Sequence, residues 1–114
     1  MALRGEVLAS RRTFGFGKSD TLELFVVLQS EGFTQLFGTV VVAPIRRASP
    51  DLARWTGAVP VRMKDGGHER DLLILPPLMA SLRADRFEEE PRGRLDARTM
   101  AAVDRVLRAL LALR

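Results

Sequence analysis

The sequence predicts a mainly β (α+β) domain: a small, strongly curved β-barrel of five or six strands with one C-terminal helix across an open side. Two observations carry the strands. Leu22, Leu24, Phe25, Val26, Val27 and Leu28 form one short apolar run, and Val40, Val41, Val42, Ala43 and Ile45 form another. Both are rich in β-branched or aromatic residues and too continuous for half-exposed strands, so each reads as buried on both faces. A third observation carries the helix. Met100, Val103, Leu107, Leu110 and Leu111 share one face at helical spacing between Asp96 and Leu113. Short strands in this number close most economically as a barrel.

In chain order, Leu3 to Leu8 is a first strand with imperfect alternation. Arg11 to Asp20 has glycines beside its phenylalanines and no apolar period, which makes it a flexible loop. The two buried strands follow as an antiparallel pair, with Glu31, Gly32 and Gly38 punctuating a moderately long connection. Pro44 has no N–H to give to a ladder, so the second strand is expected to end there. Ser49 and Pro50 suit the N-cap and first position of a helical turn that reaches Trp55. Gly57 to Met63 alternates Val59 and Val61 with Pro60 and Arg62, an edge strand because of the proline. Lys64-Asp65-Gly66-Gly67 is a hairpin signal, and Arg70 to Leu75 is the strand after it, closed by Pro76-Pro77. From Leu78 to Arg92 the pattern weakens: Phe87 fits a short strand, and Glu88-Glu89-Glu90-Pro91 a solvated break. Asp96 is a good N-cap for the last helix, and Leu95 and Met100 have the spacing of a hydrophobic staple. Arg98, Asp104, Arg105 and Arg108 fall mostly on its other side, and Arg108 and Arg114 suit the negative end of the helix dipole.

A chain of 114 residues makes one domain with one core, residues 1–114. The absence of cysteine excludes disulfides and thiolate metal sites. No run approaches the roughly 18 apolar residues of a membrane helix, and the first residues lack an apolar stretch of signal-peptide length, so a cytoplasmic, membrane-free setting is expected. The net charge of +4 favours a polyanionic partner where the cations cluster; scattered, they are an ordinary basic surface.

Several stretches together resemble the MazF/PemK branch of the CcdB/PemK/MazF toxin superfamily. They are Arg4-Gly5-Glu6-Val7, the glycine-containing loop after it, Phe25-Val26-Val27-Leu28-Gln29-Ser30, Thr39-Val40-Val41-Val42-Ala43-Pro44-Ile45, and the final helix with Met100 and Val103-Asp104. Leu24-Phe25-Val26 with Gln29-Ser30, and Met79-Ala80-Ser81, are similar to the CcdB branch. The resemblance spans nearly the whole chain and implies an SH3-like barrel, a symmetric homodimer and toxin activity. MazF/PemK members cut single-stranded RNA without a metal or other cofactor and are neutralised by a cognate antitoxin protein; CcdB members bind DNA gyrase. The sequence also departs from both branches. Active MazF relatives carry Arg-Pro at the start of strand two, where this chain has Glu23 and Leu24. Relatives have Thr or Ser after the Pro-Ile, where this chain has Arg46, its nearest hydroxyl being Ser49. Some place Arg and Asp on the strand matching Leu72 to Leu75, which is aliphatic here. The Trp-Gly-Ile tail of CcdB is absent from Leu111-Ala112-Leu113-Arg114.

Metal-free RNA cleavage needs a base for the 2′-hydroxyl proton, an acid for the leaving oxygen and cations for the phosphorane. His68, the single histidine, sits beside Gly66-Gly67 and reads as a solvated turn residue; one histidine without cysteine makes no metal site. In the first loop Arg11, Arg12 and Lys18 can hold phosphates while Phe14 and Phe16 stack on unpaired bases. The plainer account has one ring capping the barrel and the cations merely solvated. Arg46 and Arg47 form a second cationic patch with the same two accounts. The catalytic candidates are Arg46 for the pentavalent phosphate, Ser49 as a hydrogen-bonding partner, and Lys18. Trp55 reads as core or interface, and Glu88 to Glu90 as solvated. Three functions stay open: an endoribonuclease toxin with a shifted site; a non-catalytic relative that poisons a protein target or only binds RNA; and a plain interaction module.

Overall fold

Strand β2 (Leu24–Val27) is buried on both faces because a different core lies against each. Leu24 and Val26 point to one side and Phe25 and Val27 to the other, as strand alternation requires. In the computed structural model, residues 3–10, 23–30, 38–54, 57–65 and 67–112 are described. Besides β2 they form β1 (Glu6–Ala9), β3 (Thr39–Arg47), α1 (Pro50–Ala53), β4 (Val59–Asp65), β5 (His68–Ile74), β6 (Ala80–Arg83), β7 (Gly93–Arg94) and α2 (Ala97–Leu110), with single 3₁₀ turns at Pro76–Leu78 and Ala84–Arg86. All pairings are antiparallel, in the order β4-β5-β3-β2-β1-β7, and β6 also pairs with β3.

The chain after β6 closes the barrel. Phe87 bridges Ser10, the Glu88 N–H donates to the Ala9 carbonyl at 2.9 Å, and the Arg92 N–H to the Val7 carbonyl at 2.7 Å. A ring of main-chain bonds thus runs β1-β2-β3-β6 and back through Phe87 to β1. Leu8, Phe25, Val27, Val40, Val42 and Phe87 fill it. The second core lies between the opposite face and α2, where Met100 and Val103 meet Val7, Val26, Ala43, Ile45, Leu72 and Ile74. Asp96 caps α2 by accepting the Thr99 N–H at 2.7 Å. Arg4 ties the helix down: its Nε donates to the Leu28 carbonyl at 2.8 Å and its guanidinium pairs with Asp104.

Three expectations need correction. β3 does not stop at Pro44 but continues to Arg47. The Leu28 N–H bonds the Val41 carbonyl, so Pro44 falls opposite Phe25 at a position that exchanges no hydrogen bond with β2. On its other edge β3 is passing from β6 (residues 39–42) to β5 (residues 45–47), and the Leu75 carbonyl that an N–H at 44 would reach accepts the Leu78 N–H instead. Proline sits where the ladder has no use for its donor. Among the described residues the strands number seven rather than five or six, because β6 and β7 occupy the stretch whose pattern is weak. On the helix face, Met100 and Val103 are buried and Leu107 half-buried, but Leu110 and Leu111 are about half exposed, beyond the sheet's reach.

Candidate nucleic-acid interface

Arg46 and Arg47 are the last two residues of β3 and both are exposed. Strand alternation separates them. Ile45 belongs to the helix-side core, so Arg47 leaves on that side and Arg46 on the barrel side. The two arginines are therefore not one patch.

Around Arg46 the register assembles a row. Leu24 pairs with Ile45 and Ala9 with Leu24, so one step further Ser10, Glu23 and Arg46 stand side by side at the barrel rim. The Ser10 N–H donates to the Glu23 carbonyl at 2.9 Å, which fixes that step. On the other side Arg46 pairs with Leu73, and Leu73 with Pro60. Asp71 is the diagonal neighbour of Arg46 on the same face, and its backbone carbonyl accepts the Ala48 N–H at 3.1 Å. Arg62, across from Asp71, bonds Asp71 at 3.4 Å and Glu69 at 3.2 Å in open solvent, where such pairs hold weakly. Register thus puts Arg46 on one face of the sheet with two carboxylates, Glu23 on the neighbouring strand and Asp71 on the diagonal, neither of them a sequence candidate. In the sequence Glu23 stands out only as a departure from the arginine of the family it resembles. Asp71 would have emerged from pairing β3 with β5, which no local pattern reveals.

Ser49 is the N-cap of α1: its Oγ accepts the Leu52 N–H at 3.2 Å. The hydroxyl keeps its proton for a second partner, two residues beyond Arg47. Arg11, Arg12, Phe14, Phe16 and Lys18, with Trp55, lie outside the described residues. The anchors of the first loop are described, however, and they are Ser10 and Glu23, the residues beside Arg46. His68 is exposed after the hairpin glycine Gly67, whose φ of +86° suits the turn. Among the described residues no three His, Asp or Glu side chains converge to hold a metal ion, and no helix is long and apolar enough to cross a membrane.

The family model described as PemK-like, MazF-like toxin of type II toxin-antitoxin system matches residues 10–111. Among solved structures, a chain of the MazE-MazF crystal structure (form II) from Deinococcus radiodurans superposes with a TM-score of 0.75 at 17% identity, over 99% of this chain and 97% of that one. An endoribonuclease in complex with its cognate antitoxin from a mycobacterial species gives 0.71 at 16%, over 100% and 98%. The Mycobacterium tuberculosis toxin MazF-mt6 gives 0.68 at 16%, over 96% and 98%. At these identities the likeness shows the fold. No curated protein matches the sequence.

Proposed function

Because the chain belongs to the PemK-like, MazF-like family of type II toxin-antitoxin toxins, we propose that it is a metal-independent endoribonuclease acting on single-stranded RNA in the cytoplasm. The supporting observation is the shared rim: the first loop leaves from Ser10 and returns at Glu23, and Glu23 stands in register with Arg46. RNA lying across the rim meets Arg11, Arg12, Phe14, Phe16 and Lys18 from the loop, and Arg46 from β3. One carboxylate of the Glu23–Asp71 pair takes the 2′-hydroxyl proton, the 2′-oxygen attacks phosphorus to give a 2′,3′-cyclic phosphate, and the 5′-oxygen leaves, taking its proton from water at the exposed rim. Arg46 neutralises the phosphorane between them. Ser49 and Arg47 hold the strand beyond β3. A cognate antitoxin would inhibit the protein by covering this rim, and the working unit is a two-fold homodimer, as the family implies.

The test is incubation with long single-stranded RNA in chelator. Cleavage is expected, and Arg46→Ala should lower its rate about 100-fold with a smaller loss of binding, because the contact strengthens as charge develops. Intact RNA, with wild-type protein binding no better than a neutral control at low salt, would remove the reading. Light scattering should give twice 12.7 kDa. One observation favours a second reading. Leu24, at the place of the relatives' proline, is buried in the helix-side core, and Glu23 puts an anion where they have a cation. RNA binding without cleavage would make the protein a non-catalytic RNA-binding relative; neither activity would point to a protein target, such as a gyrase-like enzyme.

A further inference from the structure

The solvent face of α2 carries a row of arginines. Arg98, Arg105 and Arg108 are exposed, and so are Ala101 and Ala109 among them. At about 3.6 residues per turn these positions fall within roughly a third of the helix circumference, on the side away from the buried Met100 and Val103. From Arg98 to Arg108 the row runs about 15 Å.

Its charge works against the helix. Arg98 lies in the first turn, where the positive end of the helix dipole repels a cation. Arg105 and Arg108, three positions apart, repel each other. The nearest acids are engaged elsewhere. Asp96, whose charge Arg98 feels, accepts the Thr99 N–H. Asp104, four positions before Arg108, pairs with Arg4. The Pro76–Leu78 turn, packed against α2, carries no charge. Among the described residues none of the three arginines forms an ion pair or a side-chain hydrogen bond. Local conflicts of this kind are expected where a surface serves a function.

The chemistry of the row selects a phosphate backbone. Arginine meets phosphate bidentately, and the alanines let a chain of phosphates lie close to the helix. The row has no aromatic ring to stack a base and no Asn or Gln to read one, so it holds nucleic acid without regard to sequence. An acidic protein would need an apolar or aromatic anchor there, and Leu110 and Leu111 fall off the row. Flexibility selects a single strand. Arg46 leaves the sheet on the barrel side and α2 covers the other. One nucleic acid reaches both only by bending around a domain with extents of 37 × 34 × 26 Å. A DNA duplex stays straight over about 500 Å, whereas a single strand turns freely.

We propose that Arg98, Arg105 and Arg108 form a second, sequence-independent RNA site, which holds the flanking chain of a single strand whose other part lies on the Arg46 rim. The choice of single-stranded RNA rests on the ribonuclease reading.

The probes are fluorescein-labelled 2′-O-methyl uridine oligonucleotides, one of about 6 and one of about 30 nucleotides. Neither has a 2′-hydroxyl to attack phosphorus. Wild-type protein should bind the short probe at two sites per chain, and the variant with Arg98→Gln, Arg105→Gln and Arg108→Gln at one. The long probe should bind that variant about tenfold or more weakly. Its slope of log affinity against log salt should flatten by about 2, from three contacts at roughly 0.7 each. Arg105→Gln alone should flatten it by about 0.7, a readout that stands even if the triple variant melts early. Lysine at all three positions should keep most of the slope, because the charge remains. Wild-type affinity and slope in the triple variant overturn the proposal. So does equally tight, arginine-dependent binding of an RNA duplex of the same charge. Displacement of the long probe by polyglutamate of equal charge would give the row to acidic protein, and also overturns it. A wild-type dimer that becomes a monomer in the triple variant would place the row in a subunit interface, with the same result. Cleavage of long RNA in chelator is measured apart: its absence removes the ribonuclease reading, whereas unaltered binding by the triple variant removes only this site.

Discussion

Phe87 is the residue on which barrel closure turns. It is 3% exposed, and its ring meets Phe25 edge-to-face at 5.5 Å and 74°. Its backbone bridges Ser10, and the next N–H bonds Ala9. Phe87→Ala removes a ring from a closed interior whose other walls are strands bonded to one another, so the cavity has little freedom to collapse. The expected cost is about 3–5 kcal/mol, of which the edge-to-face contact supplies roughly 1. That is a large share of the 5–15 kcal/mol typical of a domain. At about 4 °C per kcal/mol it lowers the melting temperature by roughly 12–20 °C. The assay is thermal and urea unfolding of wild type, Phe87→Ala, Phe87→Leu, and each with Phe25→Leu. Phe87→Leu should recover more than half of the loss, and the cycle should show coupling of about 1 kcal/mol between the two rings. A Phe87→Ala variant melting within about 3 °C of wild type would mean that the ring fills no core, as for surface substitutions, and the barrel would not close through this segment.

Met100→Asp should unfold the domain, at a cost of several kcal/mol for an unpaired buried carboxylate, whereas Leu107→Asp, half-buried with an escape to solvent, should leave a folded protein of lower midpoint; equal effects in urea unfolding would contradict the packing of α2. Arg4→Ala should cost about 1–2 kcal/mol, since one guanidinium serves both the Leu28 carbonyl and Asp104, and Arg4→Lys should recover little because an ammonium cannot span both partners; full recovery by lysine would reduce the link to plain charge. The Thr99 N–H bond holds the Asp96 carboxyl below its ordinary value of 3.8. A lowered folded pKa means stability present above the unfolded value and lost as pH falls through the folded one. The gap in melting temperature between wild type and Asp96→Ala should therefore be full at pH 7 and narrow below about pH 4; a gap that widens in acid would reverse the sign.

How far the sequence speaks depends on whether a feature is local. The two-sided burial of β2 is written in a continuous apolar run, and α2 in its cap and period, because each needs only neighbours within a few residues. Pro44 misleads for the complementary reason: a missing N–H ends a strand only where a partner wants it, and here β3 is changing partners. β6 is invisible because Ala80, Ser81 and Arg83 are exposed, which leaves no apolar period for a strand held mainly by its pairing with β3. Leu110 and Leu111 continue a sound helical stripe past the last strand able to cover it. The candidate site follows the same division. Arg46 and Arg47 attract notice as neighbouring cations, yet the strand sends them to opposite faces. Glu23 and Asp71 attract none, being ordinary acids 48 positions apart (71 − 23). Register alone, with 23 opposite 46 and 46 opposite 73, puts them on one face of the sheet, so the chemistry proposed for this rim depends on strand pairings that no segment of the chain specifies by itself.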